Sequence, residues 1–78
     1  MEAQILNMLK ELQPTYDFEE GVDFVEEGYL DSFDVVTLVT ELEEAFSISI
    51  SALDIVPENF ASLQAICALA RRSKKVSF

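Results

Sequence analysis

Apolar residues recur along this chain at two spacings, and the spacing sorts the chain into elements. Ile5, Leu6, Met8, Leu9 and Leu12 repeat at helical intervals until Pro14, whose ring and restricted predecessor stop the run, so a first helix is predicted from Glu2 to Leu12. A second stripe, Val35, Leu38, Val39, Leu42 and Phe46, steps by threes and fours and predicts a longer helix from about Ser32 to Phe46. Phe33 and Val36 fall off that stripe and form a shorter one beginning beside Ser32. Asp31 or Ser32 supplies the N-cap, and Asp34 places negative charge in the first turn, where the helix dipole favours it.

Between Leu12 and Asp31 no periodicity holds. A connection that long in so small a domain needs side chains of its own to pack, and Tyr16, Phe18, Val22, Phe24, Val25 and Leu30 are the candidates. After Phe46, Ser47-Ile48-Ser49-Ile50-Ser51 alternates like a strand. It has no obvious partner and a lone strand is unstable, so an extended linker inserting Ile48 and Ile50 into the core is expected. Ser51 and Asp54 make a capping-box-like start for a short third helix, Ala52 to about Val56, which Pro57 ends. Ser62 caps a fourth, running to about Arg72 and burying Leu63, Ile66, Cys67 and Ala70, with Arg71, Arg72, Lys74 and Lys75 suiting its C-terminal dipole. Residues 73–78 are expected to form a frayed basic tail. The sum is an all-α fold, one domain over 1–78, built as a small four-helix bundle of three longer helices and one short one.

Composition narrows the partners. Half of the 78 residues are hydrophobic and mean hydropathy is +0.22, too apolar for a disordered acidic tail. The formal net charge is −10, and no Lys or Arg occurs between Lys10 and Arg71, so the middle of the chain is uniformly acidic. Nucleic acid is thereby disfavoured as a partner, because binding it requires cationic contacts to phosphate; basic protein surfaces are what this field would steer in. The single cysteine, Cys67, cannot close an internal disulfide, and no charged n-region with an apolar run opens the sequence, which together suit the reducing cytoplasm. Apolar runs fall far short of the roughly 20 residues a bilayer span needs, so no membrane insertion is expected, and the domain is expected to be a monomer.

Little catalytic chemistry is available. Without a histidine, Ser-His and Cys-His catalysis is excluded and an ordinary zinc site is disfavoured. Cys67 lies on the apolar stripe of the last helix and reads as a small core residue. Asp23, Glu27, Gly28, Asp31 and Asp34 fall on positions of a calcium-loop template, but Val25 fails a ligand position and the flanking helices are missing, leaving loose binding of a divalent cation as the most this cluster offers.

Asp31-Ser32-Phe33-Asp34 is where the chemistry gathers. An Asp-Ser pair opening a helix is ordinarily just a cap. Here Phe24-Val25-Glu26-Glu27-Gly28-Tyr29-Leu30 precedes it, an acidic helix ending in Glu43-Glu44-Ala45-Phe46 follows, and Asn59-Phe60-Ala61-Ser62-Leu63 opens the last helix. Over nearly the whole chain this resembles the acyl and peptidyl carrier proteins. The resemblance implies their four-helix architecture, a 4′-phosphopantetheine arm on the Ser32 hydroxyl with Asp31 beside it, and cargo held as a thioester on the arm's thiol. It also implies the partners: a phosphopantetheinyl transferase, an acyl- or aminoacyl-loading ligase, and downstream synthase or transferase enzymes. The chain itself would be a carrier and not an enzyme, serving fatty-acid, polyketide or nonribosomal-peptide-like biosynthesis.

Phe33 stands where the family usually has leucine, Leu30 where it has a small residue, and Thr37 and Thr40 where fatty-acid carriers show an acid and a larger apolar residue. The run Gly28 to Phe33 looks closer to free-standing aminoacyl carriers, the D-alanyl carriers among them. Phe33, Asp34, Val36, Glu41, Glu43 and Glu44 together suggest a docking surface, a small apolar patch with an acidic rim. The competing reading is a noncovalent acidic helical adaptor that binds a basic partner through the second helix.

Overall fold

Helix boundaries follow the caps. In a computed structural model that describes residues 1–76, α1 (Glu2–Leu12) ends at Gln13, one residue before Pro14. The second helix, α2 (Ser32–Phe46), begins behind Asp31, and α3 (Leu63–Arg72) begins behind Ser62, whose hydroxyl accepts from the Ala65 amide at 3.1 Å. The fold is mostly helical, as expected.

The short third helix does not form as an α-helix. Pro57 has no N–H to donate and holds Val56 extended, at φ −127° and ψ 152°. Too few residues then remain to close α-helical bonds, and the segment settles into two 3₁₀ turns, Ala52–Asp54 and Pro57–Phe60. Ser51 caps the first by accepting from the Leu53 amide, and Pro57 opens the second at a position where its missing donor costs nothing.

The alternating segment finds a partner after all. Strand β1 (Ile48–Ser49) pairs antiparallel with β2 (Lys74–Lys75), Ile48 opposite Lys75 and Ser49 opposite Lys74, and the Val76 amide donates to Ser47 at 2.8 Å. The expected frayed tail is therefore ordered from Ser73 to Val76, and the rest of it, 77–78, lies outside the described residues. Ser73 turns the chain out of α3 by donating its hydroxyl to the Leu69 carbonyl at 2.6 Å. Ile48 and Ile50 are buried, as their alternation predicts.

One core joins all of this. Ile5 and Leu9 from α1 meet Leu38, Val39 and Leu42 from α2, and Ile66, Cys67, Leu69 and Ala70 from α3. The crossover between α1 and α2 has no regular structure and is held by its aromatic side chains. Phe18 and Phe24 meet edge to face at 5.0 Å, and Tyr29 stacks on Tyr16 at 4.1 Å. Phe18 sits at φ +52°, a left-handed backbone that costs a non-glycine residue roughly 1 kcal/mol; burying its ring is worth about 1.5–3 kcal/mol and outweighs that. The crossover is also tied by its backbone, since the Phe24 amide donates to Ala61 at 2.8 Å and the Leu30 amide to Phe24 at 2.9 Å. Gly28, at φ +80°, makes the turn that returns the chain to Leu30 and Asp31.

Candidate functional site

Ser32 is the first helical residue of α2 and is exposed. Capping is done by its neighbour. The Asp31 carboxylate accepts from the Asp34 amide at 2.8 Å, and the Asp34 carboxylate accepts in return from the Asp31 amide at 3.3 Å, a reciprocal capping box. The Ser32 hydroxyl is thus not needed to hold the helix and makes no hydrogen bond among the described residues. An uncommitted hydroxyl at this position is available to a reagent.

Beside it runs a cleft of about 220 Å³, lined mainly by apolar side chains that include Val35 and Val36 from α2, Val25 from the crossover, and Ile55 and Pro57 from the 3₁₀ region. Past Val25 and Pro57 a wider groove continues between Asp23, Glu26 and Glu58. The five positions that match a calcium-loop template do not converge. Asp23 turns inward to accept from the Val25 and Glu26 amides, at 3.0 and 2.9 Å, and no cluster of metal-ligating side chains exists among the described residues.

The residues expected to form the docking surface separate into two sets. Phe33 is 79 % exposed and Val36 61 % exposed, an unusual display of apolar surface in so small a domain, and Glu44 is exposed as well. Asp34 is not on that rim. It is buried, and its Oδ2 also accepts from Gln13 Nε2 at 2.8 Å, so the first-turn acid serves the interior of the site. Glu43 is half-buried and accepts from the Ile50 amide at 2.9 Å, tying the end of α2 to the segment after β1. Glu41 is half-buried too, with one carboxylate oxygen shut away and unpartnered among the described residues.

Two features escaped the sequence. Leu53, 88 % exposed on the first 3₁₀ turn, adds a third bare apolar side chain; only its place on a turn that buries nothing signals it. Gln13 joins the site from 21 positions upstream of Asp34, and no local pattern announces such a contact. Cys67 is buried, and burial, reinforced by the Glu2 carboxylate, pushes its thiol above the ordinary range; Arg71 and the N-terminal amine pull the other way. That is an inert core thiol.

The arrangement suits a tethered phosphate ester. Val35 already donates its amide to the Asp31 carbonyl and Asp34 donates to the Asp31 side chain, so Ser32 and Phe33 keep amides with no helical acceptor at the positive end of a 15-residue helix. Ser32 is exposed there, uncommitted and bordered by a shallow apolar cleft.

Comparison with known proteins agrees. The family described as "Phosphopantetheine attachment site" matches residues 3–70, and the chain belongs to that family, whose domains take 4′-phosphopantetheine covalently. Among curated relatives, the D-alanyl carrier protein of Lactococcus lactis subsp. lactis (strain IL1403) is 33% identical over 76 residues, covering 95% of this chain and 96% of that protein. Those of L. lactis subsp. cremoris (strain MG1363) and Staphylococcus saprophyticus subsp. saprophyticus are 34% identical over 70 residues and 32% over 68; each covers at least 85% of both chains. No solved structure gives a significant match.

Proposed function

We propose that this chain is an aminoacyl carrier protein of the D-alanyl type, a free-standing cytoplasmic monomer that takes its 4′-phosphopantetheine arm on Ser32. What carries the reading is the division of labour at the start of α2: Asp31 and Asp34 cap the helix between them and leave the Ser32 hydroxyl exposed and unengaged. In the attachment step the Ser32 oxygen forms a bond to the pantetheine-bearing phosphorus of coenzyme A. The bond from that phosphorus to the adenosine phosphate breaks, and the hydroxyl proton goes to a base of the transferase. The bound arm supplies a thiol on which an activated amino acid is held as a thioester.

This chain's part is presentation. Phe33 and Val36 stand exposed within about a turn of Ser32, and Glu44 is exposed near the far end of α2; together they would meet the transferase and the loading ligase in turn, the acid attracting basic surfaces and the apolar side chains giving short-lived contact. The relatives named above support D-alanine over a fatty-acid or polyketide cargo.

Intact mass measured after incubation with coenzyme A and a promiscuous phosphopantetheinyl transferase tests the first half. One arm per chain is expected, mapped to Ser32 and abolished in Ser32→Ala. Incubating the product with ATP and a D-alanine-activating ligase tests the second, with L-alanine and a short fatty acid as competitors. A wild-type protein that stays unmodified would mean a noncovalent adaptor. Glu44→Lys should slow attachment several-fold at low salt and less at high salt, as screening removes the attraction.

A further inference from the structure

Gln13 is the C-cap of α1, and its backbone is fixed on both sides: its amide donates to Leu9 at 3.0 Å and its carbonyl accepts from Tyr16 at 3.2 Å. Its side chain leaves that corner and donates to Asp34 Oδ2 at 2.8 Å. The same oxygen receives the Asp31 amide only at 3.3 Å, near the outer limit of a useful hydrogen bond. Of the two donors on the buried Asp34 carboxylate, the glutamine is therefore the stronger. Without it, a mostly buried carboxylate would keep one long hydrogen bond and would gain by swinging outward. That motion breaks the return half of the capping box, freeing the Asp31 amide and leaving Asp31 held by its carboxylate and by the carbonyl that accepts from Val35.

We infer that Gln13 is a positioning residue for the attachment site, acting through Asp34 to hold Asp31 and the first turn of α2 in the form a transferase recognises. The inference rests on the reading of Ser32 as the attachment serine. Gln13 touches neither Ser32 nor any reacting atom. Its effect is on the fraction of molecules with the box closed, so its loss raises the apparent KM for the carrier by the inverse of that fraction and leaves kcat alone.

Two substitutions separate the donor from the bulk. Gln13→Met keeps the length and removes the N–H, and should raise KM for the carrier about three- to ten-fold with kcat little changed. Gln13→Lys restores a donor and should bring KM back toward the wild-type value. In the unmodified protein, amide hydrogen exchange at Asp34 should quicken in Gln13→Met and recover in Gln13→Lys, while exchange in the core of α3 stays slow. An unchanged KM and unchanged Asp34 exchange in Gln13→Met would overturn the inference, as would a Gln13→Lys protein as impaired as Gln13→Met. Failure of the wild type to be modified is a different result: it removes the Ser32 reading, and exchange at Asp34 still decides whether Gln13 holds the box.

Discussion

At its start, α2 is held by three side chains that answer one another: Asp31 and Asp34 exchange hydrogen bonds with each other's amides, and Gln13 reaches across from α1 to fasten the second of them. At its finish, the helix has no basic residue in its last turn, and Glu41, Glu43 and Glu44 crowd the negative end of the dipole. What holds that end is a left-handed Ser47 at φ +52° and a single carboxylate, Glu43, accepting from the Ile50 amide. Acids at the first end are placed where backbone donors want them, and acids at the second where the backbone field opposes them. Negative charge therefore does most of its structural work at the end that carries Ser32, and at the other end Glu43 alone of the three acids accepts a backbone hydrogen bond.

That asymmetry can be broken most severely at Asp34. Asp34→Ala strips the acceptor from both the Gln13 amide and the Asp31 amide and should lower stability by about 2–3 kcal/mol in urea or thermal melts. Asp34→Asn keeps a carbonyl acceptor and should cost less than half as much; equal losses would mean the charge matters and the box does not. Glu43→Ala, the counterpart at the far end, should cost about 1 kcal/mol, and Glu43→Gln close to nothing, since an amide oxygen serves the Ile50 N–H equally well. A Glu43 loss as large as that of Asp34 would erase the difference between the ends.

Much of this was legible beforehand, for identifiable reasons. The bounds of α1 and α2 match the predicted ones because Pro14 and the Asp31-Ser32 pair are local stop and start signals, and the stripe of α2 faces the core as its spacing requires. The burial of Asp34 was not legible. A first-turn acid ordinarily faces water, and only the return of α1 over the site, bringing Gln13, turns it inward. The β1–β2 pairing was hidden in the same way: Lys74 and Lys75 carry no strand signal, and the pair forms because α3 delivers them to Ile48 and Ser49. Leu69 faces the core beside Ile66 and Ala70 although the expected stripe passed it over, because the core wraps further around α3 than one narrow stripe. The place of Ser32 at the start of α2, in contrast, was legible, since the Asp31-Ser32 pair is a local start signal.

Smaller effects sharpen the contrast. Ser47→Gly should stabilise the far end by about 0.5–1 kcal/mol, because glycine adopts the left-handed conformation without the clash a serine tolerates there. Cys67 should touch both ends alike. Its folded thiol is pushed above its unfolded value, so its contribution is fully present below about pH 8.5 and is lost as pH rises through the folded value, the unfolded chain releasing its proton first. Melts at pH 7.5 and pH 9.5 should show stability falling while the gap between Asp34→Ala and Glu43→Ala stays constant; Cys67→Ala should flatten that fall.

The stacked rings of Tyr16 and Tyr29 lie in the crossover that ends at Asp31, and the chain has no tryptophan. These two tyrosines are its only strong ultraviolet emitters, and both sit in one stretch of irregular chain next to the serine. Tyrosine emission, and near-ultraviolet dichroism read in the tyrosine band, therefore watch that stretch, while far-ultraviolet dichroism watches the three helices. Recorded together during heating or during arm attachment, the two signals would separate wherever the crossover loosens ahead of the bundle, and no added label would be needed to see it.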